Sequence, residues 1–170
     1  KTFNLDIDKL KNTITSDTLC INSIYYFGIY GSIKKIFDIA KGYGTYLISD
    51  CAQPFIITDD NNADIVLLSF NRGKNFTTFS GGALVGVDHD IFDKIREKFA
   101  ELESQKTSLK IVTFIKLLAF SLVKNRLFYN ALYPFIKRFK DASIPEDIKA
   151  MRYSDWQAAI GLKVLKEIDD

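Results

Sequence analysis

Asp50, Gln53, Ser69 and Lys74 follow one another along a strand–loop–strand–loop stretch, Ile48 to Gly82, that closes on Gly81-Gly82. Each brings a group with its own use. A carboxylate at the end of a buried strand can hold a pyridine nitrogen protonated. The ring then stays an electron sink and stabilises a carbanion formed beside it. The Gln53 amide, three residues on, can reach a ring hydroxyl from the same side of the loop. The Ser69 hydroxyl, at a strand end, can donate to a phosphate. The amine of Lys74, five residues later, can condense with an aldehyde if it is deprotonated part of the time. Partial burial and a nearby cation such as Arg72 promote that state. The glycine pair lets backbone turn sharply or pass close to a bound group. Together these are the needs of a pyridoxal phosphate site.

Taken singly, each residue also has an ordinary reading. Lys74 is then a surface-loop lysine, Asp50 a turn-capping aspartate and Gln53 a loop glutamine. Ser69 is a strand-end serine bonded to backbone, and Gly81-Gly82 a hairpin turn. The set carries information because four roles occur in order, each in matching local structure.

The elements that must position them are read from hydrophobic pattern. Ile21–Phe27 is a β-rich apolar run closed by Gly28, a buried strand. Ser32–Lys41 has helical spacing and ends at Gly42-Tyr43-Gly44. Thr45–Ser49 is a second strand leading into an Asp50–Gln53 loop, and Asp59–Asn62 is a turn. Ala63–Phe70 is a third strand, nearly all apolar. Apolar strands joined by a helix predict an α/β fold with a mostly parallel sheet, flanked by helices and covered on both faces. Ligands of such sheets bind at the carboxyl edge of the strands, where Asp50, Ser69 and Lys74 fall. Thr77–Phe79 and Ala83–Val87 suit a further hairpin.

From Asp88 onward the pattern turns helical. Asp90–Ser104 is amphipathic. Leu109–Leu122 is strongly apolar but interrupted by Lys110 and Lys116, too short and too charged for a membrane span. The length argument favours a buried or interface helix, with a membrane-surface helix as the alternative. Leu127–Phe139 is a further apolar, aromatic segment bent at Pro134. Asp155–Ile168 is helical, with Ser154 as its cap and Trp156, Ala159, Ile160, Val164, Leu165 and Ile168 as its stripe. Residues 1–20 are polar and mixed, and suggest no element.

A length of 170 residues suits one domain with a sizeable core, and 47% hydrophobic with 26% charged residues argues against disorder. The 23 basic and 21 acidic residues nearly cancel, giving no electrostatic reason to expect nucleic acid as a partner. Basic residues gather mildly at 124–140, as on a solvated helix face. Cys20 and Cys51 lack metal-ligand spacing and read as free thiols of a reducing cytoplasm. No metal is expected. His89 sits in a helix start, Asp88-His89-Asp90, and reads as solvated. Lys1 opens the chain without methionine and Asp170 stops it within a helical pattern, so both ends read as cut.

Several blocks resemble the pyridoxal-phosphate-dependent aminotransferases of the DegT/DnrJ/EryC1/StrS family, over about Ile21 to Asp170. Ile24-Tyr25-Tyr26-Phe27-Gly28 is similar to the family's strand ending in glycine. Asp50-Cys51-Ala52-Gln53 is similar to its acidic block. Ser69-Phe70-Asn71-Arg72-Gly73-Lys74 with Gly81-Gly82-Ala83-Leu84-Val85 resembles its serine-to-lysine block and glycine pair. Met151 to Ala159 resembles its arginine-to-Gln-Ala-Ala helix start. The resemblance implies the large domain of the aspartate-aminotransferase-like fold (fold type I), here incomplete, with the phosphate loop and small C-terminal domain outside residues 1–170. It implies Lys74 as Schiff-base and proton-transfer lysine, Asp50 as partner of the pyridine nitrogen, Gln53 as a ring contact and Ser69 as a phosphate ligand. It also implies a homodimer, an amino-acid donor and a keto-sugar acceptor, nucleotide-linked in most members. The related sugar dehydratases replace the lysine, so Lys74 argues against them. The chain departs from the family pattern at Tyr25, where histidine is common, at Phe79-Ser80, where Gly-Glu is frequent, and at Ala150, where asparagine is usual. Those departures motivate the alternative of a non-catalytic relative acting as a scaffold or interaction module. The segment between Glu101 and Lys149, with its apolar 107–139 stretch, is longer and more apolar than the family leads one to expect.

Overall fold

The computed structural model describes residues 4–26, 31–54, 62–74, 76–86, 89–123, 129 and 150–169. The chain divides into two compact units, Lys1–Ala100 and Glu101–Asp170.

In the first unit four strands lie side by side: β1 (Cys20–Ile24), β2 (Tyr46–Cys51), β3 (Ile65–Ser69) and β4 (Gly82–Gly86). The first three are parallel and β4 runs antiparallel to β3. The parallel step from β1 to β2 crosses over through α2 (Ile33–Gly42), as parallel neighbours require. The expected strands and helix are present with shifted ends. The second strand extends through Cys51, so Asp50 is a strand residue and not the first residue of a loop. The hairpin expected from Thr77–Phe79 is absent, and only Gly82–Gly86 pairs with β3. The threonines of that segment bond to loop backbone instead, as described below.

Register fixes which side chains share a face. Asp50 stands opposite Ile24 on one side and Leu67 on the other. Paired residues point the same way and alternate residues return to the same face. One face therefore carries Ile21, Ser23, Leu47, Ser49, Cys51, Val66 and Leu68, all buried, with Ile36 and Ala40 of α2 in the same core. The other carries Cys20, Asn22 and Ile24, which are exposed, Tyr46, Ile48, Asp50, Leu67 and Ser69, which are half-buried, and Ile65, which is buried. The described residues thus seal one face and cover the other only in part. The reason is visible in β1, where Cys20 and Asn22 alternate with Ile21 and Ser23 and only one side is sealed.

A short helix, α1 (Ile7–Thr13), precedes β1 where the sequence suggested no element. The Asp6 carboxylate caps it, accepting from Asp8 N and Lys9 N at 3.1 Å each. Ile7 and Leu10 pack against the core. At the amino end of the sheet, buried Asp64 accepts Leu47 N at 2.8 Å and pairs with Lys41 Nζ at 2.5 Å. One carboxylate thereby ties the end of α2 to the starts of β2 and β3. After β4, α3 (His89–Glu101) brings the Phe92 ring onto Gly86, where any Cβ would collide with it.

The second unit holds α4 (Thr107–Val123) and α5 (Asp155–Asp169). A parallel bridge joins Ser104 to Arg152, and Arg152 N donates to Glu103 O at 2.9 Å. Ser154 is the cap of α5, as its sequence suggested. Its carbonyl accepts Ala158 N at 3.0 Å and its hydroxyl bonds Gln157 Oε1 at 2.6 Å. The inward positions of α5 are Gln157 and Gly161, whereas Ala159 and Val164 of the expected stripe are exposed. The Ser154 hydroxyl donates to the glutamine carbonyl oxygen, which helps a polar residue take the inner place. Phe114 meets Trp156 edge-on at 5.4 Å between centroids. Of the buried and interface readings of α4, the described residues do not form the buried one: Ile111, Val112, Phe114, Ile115, Leu118 and Leu122 are exposed. Among the described residues no helix is long and apolar enough to cross a membrane. The expected turn at 59–62, the segment Leu127–Phe139 and the basic cluster at 124–140 lie outside the described residues, apart from exposed Tyr129. The His89 side chain lies outside them as well.

Candidate active site

Because β1, β2 and β3 are parallel, their C-terminal ends share one edge, and the residues singled out by type fall there. Asp50 is the penultimate residue of β2 and Ser69 the last of β3. Asp50 pairs with Leu67 and Ser69 lies two residues beyond it, so both side chains leave the half-open face. Lys74 lies in the turn after β3, half-buried, with its N–H donating to Asn71 O at 3.3 Å. Gln53 is exposed in the bend after β2. The edge and the shared face bring Asp50 and Ser69 into one region, and the loops carry Gln53 and Lys74 to that same edge.

Asp50 is held by two contacts. Its Oδ1 accepts Ala52 N at 3.0 Å, and its carbonyl accepts Tyr25 N at 3.0 Å. The backbone bond fixes the strand end and the side-chain bond fixes the rotamer. The second carboxylate oxygen meets no donor among the described residues. The Ser69 hydroxyl and the Lys74 amine likewise have no partner among them. Half-buried polar groups normally find partners within the fold. Here a carboxylate oxygen, a hydroxyl and an amine are left open at one sheet edge. That donor set fits a phosphate-bearing pyridine aldehyde, since the acid suits a protonated ring nitrogen, the hydroxyl a phosphate oxygen and the amine the aldehyde carbon.

The loop bearing Lys74 is clamped at its base, which sequence reasoning missed. Phe70 N donates to Gly81 O at 2.8 Å, and Phe70 O accepts both Thr78 N at 3.2 Å and Thr77 Oγ1 at 3.1 Å. The chain thus leaves and returns at one residue. Phe76, buried, meets the Phe70 ring edge-on at 5.1 Å. Thr78, fully buried, donates to Ser80 O at 3.2 Å. Two adjacent hydroxyl residues between Gly73 and the glycine pair were the available signal, because such side chains compete for backbone groups in turns. Gly82 pairs with Ser69, and a Cβ there would strike the Leu68 carbonyl oxygen. Phe79 holds φ at 78°, a left-handed value that favours glycine. Its ring lies under the Arg72 guanidinium at 5.2 Å. Arg72 is therefore placed on an aromatic ring, and the structure gives no contact between it and Lys74.

Cys51, next to Asp50, points to the buried face, with Ser49 Oγ at 3.6 Å. Burial pushes its thiol up, the Asp50 charge adds to that, and the serine hydrogen bond opposes it. It stays a protonated packing group. Tyr25, at the family's histidine position, is buried, and its neighbour Tyr26 is exposed.

Residues 1–170 match the sequence model of the DegT/DnrJ/EryC1/StrS aminotransferase family. Among curated relatives, dTDP-4-amino-4,6-dideoxy-D-glucose transaminase of Shigella dysenteriae is 34% identical over 92 residues, 51% of this chain and 25% of its own length. The 3-oxo-glucose-6-phosphate:glutamate aminotransferase of Bacillus subtilis is 30% identical over 117 residues, 67% of this chain and 26% of its own. The chain thus spans about a quarter of these relatives. Among solved structures, NtdA of Bacillus subtilis with bound PMP cofactor is 31% identical, with a TM-score of 0.53 over 61% of this chain and 24% of that one. The Helicobacter pylori aminotransferase PseC has a TM-score of 0.61 over 96% of this chain and 37% of that one, at 21% identity, which shows the shared fold.

Proposed function

Because the chain belongs to the DegT/DnrJ/EryC1/StrS aminotransferase family, we propose that it is the cofactor-holding part of an enzyme that moves an amino group from an amino acid to a keto sugar. A nucleotide-linked sugar is the acceptor favoured by the Shigella relative, whose name carries a dTDP-sugar. The observation that carries the reading is the placement of open polar groups: an Asp50 oxygen and the Ser69 hydroxyl on one face of one sheet edge, with the Lys74 amine in the clamped loop that follows.

Pyridoxal phosphate, when bound, supplies the electron sink for breaking a carbon–hydrogen bond next to nitrogen. The chain's residues supply the rest. The free Asp50 oxygen holds a proton on the ring nitrogen, and the Ala52 N–H keeps the carboxylate aimed. Ser69 Oγ donates to a phosphate oxygen. The Gln53 amide reaches the ring edge. Lys74 Nζ would hold the cofactor at its aldehyde carbon and, when free, would carry a proton between neighbouring carbons of the substrate. The clamp through Phe70, Thr77 and Thr78 fixes the origin of that side chain, so proton transfer has a constant geometry.

In this reading residues 1–170 are part of a large domain. A phosphate loop and a small C-terminal domain come from other parts of the protein, and a second copy completes the site in a homodimer. Exposed Cys20 and buried Cys51 are both free thiols, which suits a cytoplasmic protein. Borohydride reduction after addition of pyridoxal phosphate, followed by peptide mapping, tests the assignment. The expected label sits on Lys74, and Lys74→Ala loses it. Labelling spread evenly over surface lysines, unchanged in that variant, would return the sheet to a non-catalytic scaffold.

A further inference from the structure

Helix α4 is turned inside out. Its one buried residue of those described is Thr113, with Lys110, Leu117 and Phe120 half-buried on the same side. At 100° per residue, Ile111, Ile115, Leu118 and Leu122 line up as a narrow stripe on the opposite side. All four are more than half exposed, at 55%, 58%, 51% and 51%. The same geometry puts exposed Lys116 roughly 130° from the stripe. A helix with an apolar stripe and a lysine beside it suits an interface between oil and water. The aliphatic part of that lysine lies along the apolar layer while its ammonium group reaches the headgroups.

Charge selects the occupant. From Gln105 to Lys140 there are eight Lys and Arg residues and no carboxylate. The 15 cations left elsewhere face all 21 carboxylates, so the chain is acidic apart from this stretch. A second copy would bring this basic stretch against its own like, whereas an anionic lipid layer complements its charge. Lys110 and Lys116 interrupt the apolar run, and among the described residues no helix is long and apolar enough to cross a membrane. We propose that α4 docks on an anionic lipid surface, lying in its plane with the Ile111, Ile115, Leu118 and Leu122 stripe below the headgroups. The proposal is independent of the cofactor reading, since none of these residues belongs to the sheet edge.

Flotation of the full chain with phosphatidylcholine vesicles, with and without phosphatidylglycerol, tests it. The chain should float with the anionic vesicles only, and added salt should weaken the binding. The paired change Ile115→Asp and Leu118→Asp should cut the bound fraction by roughly tenfold, with circular dichroism and Trp156 fluorescence unchanged because both positions face solvent. Lys116→Glu should reduce binding to anionic vesicles as well. Three results would each overturn the proposal: a chain that stays in solution with both vesicles, equal flotation with neutral and anionic lipid, or unchanged binding by the paired variant. A solution dimer that the paired variant dissolves would assign the stripe to a second copy instead.

Discussion

At the scale of residues, the sharpest constraint is on Gly82. It pairs with Ser69, and a side chain there would meet the Leu68 carbonyl, which is main chain and cannot swing away. Gly82→Ala should therefore push β4 away from β3 beside the proposed phosphate ligand. The expected cost is about 1–3 kcal/mol, read from the urea midpoint, with weaker retention of added pyridoxal phosphate. An unchanged midpoint would mean that the strand pair gives more readily than its register implies. Cys51 offers a pH test. Burial raises its thiol above the ordinary 9.0 in the fold, so below that pH both folded and unfolded chains keep the proton and stability is unaffected. Above it the unfolded chain ionises first, so stability falls as pH rises through the folded value, by at most about 1.4 kcal/mol per pH unit. Chemical denaturation between pH 8 and the alkaline limit should show a shallower decline in Cys51→Ala. Thiol titration of the native chain should modify exposed Cys20 and spare Cys51. The proposed site residues could be named from sequence because each role asks for one residue type at a strand end or the loop after it. Phe76, Thr77 and Thr78 were not, because their importance comes from returning to Phe70, a contact that spacing does not reveal.

At the scale of elements, legibility followed sequestration. β2, β3 and α2 were visible because their apolar runs are the core itself. α1 was not, since it has seven residues, none of them buried, and rests on the Asp6 cap. The stripe expected on α5 was right in part: Trp156, Ile160 and Leu165 are half-buried, but the fully buried places go to Gln157, which bonds the Ser154 hydroxyl, and Gly161. For α4 the apolar run alone left burial, an interface and a lipid surface open, and its outward stripe removes only burial within the described chain. The joint among α2, β2 and β3 yields a further test. Asp64 is buried, while the Lys41 side chain is 45% exposed and can return to water. The loss in Asp64→Ala is therefore mainly the orphaned Leu47 N–H, about 2 kcal/mol. Asp64→Asn, which can still accept that bond, should recover part of the loss in thermal denaturation. Equal losses in the two variants would shift the weight to the ion pair.

At the scale of the whole molecule, the two compact units separate two signals. Asp50, Gln53, Ser69 and Lys74 all lie in Lys1–Ala100, and Trp156, the sole tryptophan, lies in Glu101–Asp170 beside Phe114. Tryptophan fluorescence thus reports on a unit that holds none of the proposed ligands. A group that binds only the folded state stabilises the unit that holds it, by about 2.7 kcal/mol at a hundredfold excess over its dissociation constant. Pyridoxal phosphate should raise the circular-dichroism midpoint, to which the helices and strands of the sheet unit contribute. Lys74→Ala should lose most of that rise, because the covalent link contributes most of the affinity, and Asp50→Ala should lose a smaller part. The fluorescence transition should move less than the dichroism transition. A shift seen only at Trp156, or one that survives Lys74→Ala in full, would place the cofactor away from the carboxyl edge of the sheet. It would leave the open groups of Asp50, Ser69 and Lys74 without a ligand.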